Sequence, residues 1–136
     1  MMLSNNHSLY QLTFDHLAIR NNISNQPTGI AIHNLKILAS QLLEPLALKV
    51  GKFQIVSCFR SHELAKLYDD TDDHSSGCEV DIRFTECDHL FACRSILNSG
   101  IEFDLLRMEY VDINNPTTGW LHIQYNENKN RRFYQK

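Results

Sequence analysis

Residues 78–84, Cys78-Glu79-Val80-Asp81-Ile82-Arg83-Phe84, alternate between apolar and charged side chains. Period two marks a strand with one buried and one polar face. Cys78, Val80, Ile82 and Phe84 share one side, so Cys78 is expected in the core with Val80; Glu79, Asp81 and Arg83 share the other. Trp120 to Asn126 repeats the pattern, with Leu121, Ile123 and Tyr125 opposed to Trp120, His122 and Gln124. Between Ile30 and Val50 the period changes. Ile30, Leu35, Leu38, Leu42, Leu46 and Val50 recur at helical spacing, which predicts one long helix. Pro45 should kink or divide it, and Gly51 should end it.

Other elements follow outward from these. Leu9 to Asn22 reads as a short helix with Thr13 as its N-cap, followed by a turn-rich stretch to Thr28. Lys52 to Phe59 reads as a strand, and Ser61 can cap a short helix through Tyr68. Asp69 to Gly77 is a loop, Asp88 to Asn98 a helix closed near Gly100, and Ile101 to Tyr110 a strand. Asn114 to Gly119 is a turn. The basic tail, Lys129 to Lys136, is expected to fray. Helices come first, then strands with one helix between them. That order predicts an α+β fold, a small, mainly antiparallel sheet packed against the N-terminal helices.

With 136 residues, a single domain over 1–136 is expected. The chain is 43% hydrophobic and 21% charged, which is globular composition and not disorder. A net charge of −3 argues against a general nucleic-acid binder. No apolar run reaches the ~20 residues of a membrane span. Met1 to Tyr10 has no basic and apolar signal pattern, so synthesis in a cytoplasm is expected. Cys58, Cys78, Cys87 and Cys93 are too scattered for a disulfide scaffold and read as reduced thiols. Asp69, Asp70, Asp72 and Asp73 lack the spacing of a calcium loop and read as a solvated acidic run.

If the apolar strand faces rest on the long helix, Asp81 and His122 point to the same open side of the sheet. His74 lies in the loop just before Asp81, close enough to join them. A His-Asp-His set offers three N/O ligands that suit zinc, with a fourth place left for water.

His74-Ser-Ser-Gly77-Cys-Glu-Val-Asp81 resembles the H-x-x-G-x-A-x-D motif of the D-Ala-D-Ala carboxypeptidase group of zinc peptidases. These are the VanX/VanY-like enzymes, with phage L-alanyl-D-glutamate endolysins among them. Ser57-Cys58-Phe59-Arg60-Ser61 resembles the family's S-G-Y-R-S signature, and Trp120-Leu121-His122-Ile123 its W-x-H motif. Asn25-Gln26-Pro27, Asn34-Leu35, Leu42-Leu43-Glu44-Pro45-Leu46, and Phe103-Asp104-Leu105-Leu106 with Glu109 resemble a small single-domain phage subfamily. The likeness runs from roughly Leu12 to Arg132.

The resemblance implies a hedgehog/D-Ala-D-Ala-peptidase-like fold with zinc held by His74, Asp81 and His122. It implies Arg60 as the cation for the oxyanion or the substrate carboxylate. The implied activity is hydrolysis of a peptide bond in peptidoglycan stem or cross-link peptides, for phage or prophage wall lysis or remodelling. Such a protein would reach the wall after holin release, or from the virion in the company of other virion proteins. Many relatives carry an acid three residues before the last His, where this chain has Gly119. Glu109 is then the first choice of general base, with Asp112 and Glu79 as alternatives. Glu79 stands where the family usually has a small residue, and it could also hydrogen-bond a metal ligand. Two rival readings stand beside the peptidase. One is a catalytically inactive zinc-binding or virion structural module. The other, less favoured, is a thiol hydrolase using Cys58 or Cys78.

Overall fold

A computed structural model describes residues 1–68 and 74–135; the acidic run Asp69–Asp73 and Lys136 lie outside them. The fold is α+β. Two short helices, α1 (Leu9–Thr13) and α2 (His16–Arg20), lead into α3 (Gly29–Leu38), a π-helical turn (Ala39–Leu43) and α4 (Glu44–Lys49). Then come β1 (Phe53–Ser57), α5 (His62–Ala65), a 3₁₀ turn (His74–Ser76), β2 (Glu79–Phe84), α6 (His89–Asn98), β3 (Leu105–Glu109), β4 (Trp120–Gln124) and β5 (Arg132–Gln135). The five strands form one sheet in the order β1-β2-β4-β3-β5. The first three pairings are antiparallel, and β3 with β5 is parallel. Among the described residues, no helix is long and apolar enough to cross a membrane.

The N-terminal segment holds two helices, not one. Ser8, not Thr13, caps α1: its side chain accepts from Gln11 N–H while the Gln11 side chain accepts from Ser8 N–H. Thr13 is the last residue of α1, and its hydroxyl bonds back to the Leu9 carbonyl. Asp15 then caps α2 by accepting from Ala18 N–H.

The long helical path is divided just before Pro45, as expected. Proline has no N–H to give the Gln41 carbonyl. The preceding turn widens, and Glu44 N–H reaches back to the Ala39 carbonyl. Leu35, Leu38, Leu42, Leu43 and Leu46 are fully buried along this path. They share one cluster with Val80, Ile82, Leu106, Leu121 and Ile123 from the sheet. Cys78 falls short of its expected place: it precedes β2, is half-buried, and lines a cavity of about 580 Å³ with His33, Ile37, Gln41 and Tyr125.

Three other boundaries differ from the sequence reading. Strand β1 stops at Ser57, α5 stops at Ala65, and β3 begins only at Leu105. Up to Gln135, the tail is paired and not frayed. Its residues 132–135 pair with β3, which would otherwise be left as an edge. Two arginines secure it: Arg132 pairs with Asp104 at 2.8 Å, and Arg131 donates to the carbonyls of Ile101 and Leu97.

Candidate metal centre

Register builds the site. Ser57 pairs with Asp81, Asp81 with His122, and His122 with Arg107. One polar row therefore crosses β1, β2, β4 and β3 on a single face. A bulge between Ile55 and Ser57 shifts β1 so that Ser57 meets Asp81. The next turn brings in Arg60, whose Nε donates to Ser57 Oγ at 3.1 Å.

His74 reaches this row from the 3₁₀ turn, and Gly77 makes the approach possible. Gly77 has φ +80°, and a Cβ there would lie 2.6 Å from the Ala31 carbonyl oxygen. Only glycine lets the chain pass so close to α3 in that conformation. Asn34 fixes the same turn by donating to the Ser76 carbonyl at 2.9 Å.

His74, Asp81 and His122 converge: one ligand atom from each lies within 4.8 Å of the others. All three are buried, with His74 and His122 at 0% exposure, so the face expected to be open is covered at this point. His74 Nδ1 sits 2.6 Å from the Cys58 carbonyl. A carbonyl only accepts, so Nδ1 carries the proton and Nε2 presents a lone pair. That Nε2 is buried without a hydrogen-bond partner, 3.7 Å from Asp81 Oδ2. His122 Nδ1 lies 2.7 Å from Asp81 Oδ1. A divalent metal with bonds of about 2.0–2.2 Å fits a set of two imidazoles and a carboxylate. The orphaned Nε2 aimed at that carboxylate is what such an ion would satisfy. The group could hold a metal ion.

Arg60 is 5% exposed and belongs to the cluster, its Nη2 lying 3.7 Å from Asp81 Oδ2. Its guanidinium stacks over Tyr68 at 3.8 Å. The Tyr68 hydroxyl donates to Asp15 at 2.5 Å. Burial and the Asp15 carboxylate push that phenol up to about 12, so it stays protonated. Asn25, in the Asn-Gln-Pro segment, donates to the Thr13 and Phe59 carbonyls and accepts from Ser61 N–H. It ties the N-terminal helices to the Arg60 turn.

The remaining candidates divide. Glu109 lies on β3 opposite Trp120, on the His122 face, and is 4% exposed. Its Oε1 is 2.7 Å from Arg107 Nε and 2.6 Å from Nη2. Glu79 touches one member of the group: its Oε1 lies 3.5 Å from His122 Nε2 and accepts from Gln124 at 2.7 Å. Asp112 is exposed and accepts from Asn114 N–H, within its own turn. Gly119 has φ +70°, and a Cβ there would lie 2.2 Å from the Glu109 carbonyl oxygen. No acid can stand at 119 in this backbone. The thiols fit a nucleophile poorly: burial pushes both Cys58 and Cys78 up, away from thiolate.

Ser57, Tyr68, Arg107 and the Gln124–Glu79 contact went unassigned in the sequence. Period two already placed Gln124 beside His122, which was the available signal. No family model, curated protein or solved structure matches the chain.

Proposed function

We propose that this chain is a zinc-dependent peptidase that hydrolyses a peptide bond in peptidoglycan stem or cross-link peptides. The observation that carries the metal reading is the buried His74 Nε2, unpartnered and facing Asp81 beside His122. The peptidoglycan substrate rests on the three ordered motifs, Ser57–Ser61, His74–Asp81 and Trp120–His122.

In this reading His74, Asp81 and His122 hold zinc. When bound, zinc supplies Lewis acidity to the scissile carbonyl and acidifies the attacking water. Arg60, held by Ser57 and Tyr68, offers a fixed cation to the developing oxyanion or to a substrate carboxylate. Glu109 accepts the proton of the attacking water and returns it to the leaving amine. Arg107 fixes the Glu109 carboxylate on the sheet face. Synthesis in a host cytoplasm, followed by holin release or virion delivery to the wall, belongs to the same proposal.

A zinc-loaded preparation incubated with purified peptidoglycan should lower its turbidity and release new amino termini. A chelator and His122→Ala should each abolish both signals. One observation favours a second reading, a zinc-binding or virion structural module without turnover: the backbone excludes an acid at Gly119. Protein that binds zinc yet releases no new termini supports that reading against hydrolysis.

A further inference from the structure

His122 has two ring nitrogens, and each meets a different partner. Nδ1 lies 2.7 Å from Asp81 Oδ1. Nε2 lies 3.1 Å from the Gln124 amide nitrogen and 3.5 Å from Glu79 Oε1. The same amide nitrogen is 2.7 Å from Glu79 Oε1. An NH₂ group only donates, and it has two hydrogens to give. In this arrangement Gln124 donates to both Glu79 and His122, and the His122 proton sits on Nδ1, donated to Asp81. A protonated Nδ1 has no lone pair for a metal.

We infer that Glu79 and Gln124 are positioning residues that let His122 exchange tautomers, presenting Nδ1 to a divalent metal and Nε2–H to the Glu79 carboxylate. The ring loses one proton at Nδ1 and gains one at Nε2, so it stays neutral. Glu79 holds the Gln124 NH₂ toward His122, where an Nε2–H would meet it donor against donor, and the Glu79 carboxylate oxygen is the acceptor beside it that takes that proton. Glu79 is 7% exposed; its Oε1 accepts from Gln124 and faces His122 Nε2, while its Oε2 has no hydrogen-bond partner among the described residues. Charged groups that orient a ligating imidazole typically change metal affinity 10- to 100-fold. The assignment rests on the metal reading above and names the residues that tune it.

The test uses the full chain, stripped of metal and titrated with zinc against a chromophoric chelator. Long-range ¹H–¹⁵N spectra of ¹⁵N-histidine protein report the tautomer of His122. Wild type should show Nδ1–H without metal and Nε2–H with zinc. Glu79→Ala should bind zinc about 10- to 100-fold more weakly. Glu79→Gln keeps an oxygen acceptor for Nε2–H and should recover most of that loss. If Glu79→Ala does not fold, the wild-type spectra and Glu79→Gln still decide. Wild-type zinc affinity in Glu79→Ala, or Nδ1–H retained on zinc-saturated His122, overturns the assignment while leaving the metal centre standing. Wild type that takes up no zinc overturns the metal centre and this assignment with it.

Discussion

His74 and His122 are set by what holds the far side of each ring. The Cys58 carbonyl commits His74 to one tautomer, and Arg60 lies against Asp81 with its own orientation fixed by Ser57 and Tyr68. Arg60→Ala should leave zinc bound while lowering kcat/KM on the order of 10²-fold or more, as loss of one oriented charge-stabilising group does. Metal content and peptide hydrolysis measured on the same preparation check it. Unchanged rates would make Arg60 a structural counter-charge to Asp81. Glu109→Gln keeps the shape and removes the proton acceptor, so kcat should fall roughly 10²- to 10⁴-fold with zinc retained. Glu79→Gln and Asp112→Asn serve as controls on the same substrate. The grouping of His74, Asp81 and His122 was legible because, once the apolar strand faces are set against the long helix, period two and the loop preceding Asp81 bring those residues together. The partners of the trio were not. The Cys58 carbonyl carries no side-chain signal, and Tyr68 meets Arg60 only once the chain has folded back.

At the scale of elements, two glycines decide how the strands meet the helices. Gly77 lets the His74 turn lie on α3, and Gly119 lets the chain enter β4 against the backbone of Glu109 and Tyr110. Gly77→Ala forces a Cβ into the Ala31 carbonyl at a left-handed φ, and should cost about 1–3 kcal/mol in a urea titration. Gly119→Asp should lower the melting temperature without raising activity, since a side chain there meets the Glu109 and Tyr110 backbone. The tail strand was missed for a related reason. Four exposed residues, Arg132 to Gln135, have no apolar pattern, and their pairing comes from backbone and from Asp104. Asp104 is buried, which alone would raise its pKa; donation from Asn126, Asn130 and Arg132 outweighs that and holds it below the usual 3.8. That stabilisation is present above pH 3.8 and is lost as pH falls through the lowered value. Asp104→Ala should therefore detach β5, read as faster amide exchange along β3 and residues 132–135.

Across the whole molecule, the central order was readable because the α3–α4 path, β2 and β4 each announce their period, while β5 does not. The split of the first helix was not read, although Ser8-x-x-Gln11 is a capping box and Asp15 a second N-cap residue, because Thr13 reads as the cap there. Buried histidines outside the metal group add a pH dependence to the fold. His89 is 1% exposed, and burial, with Arg83 nearby, holds its pKa below the usual 6.5 against the pull of the Gly119 carbonyl and Asp88. His7 is likewise lowered by burial against the pull of Glu44. The unfolded chain binds more protons than the folded one just below pH 6.5, so stability falls as pH drops through that window. Urea midpoints of metal-free protein should decrease from pH 7.5 to pH 5.5, and less steeply in His89→Asn. Whether His74, Asp81 and His122 form one metal centre is read by titrating zinc into chelator-treated wild type and His122→Ala. Wild type should bind one zinc per chain, and the variant should lose that site. Full stoichiometry and unchanged affinity in His122→Ala would contradict a centre built from these three residues.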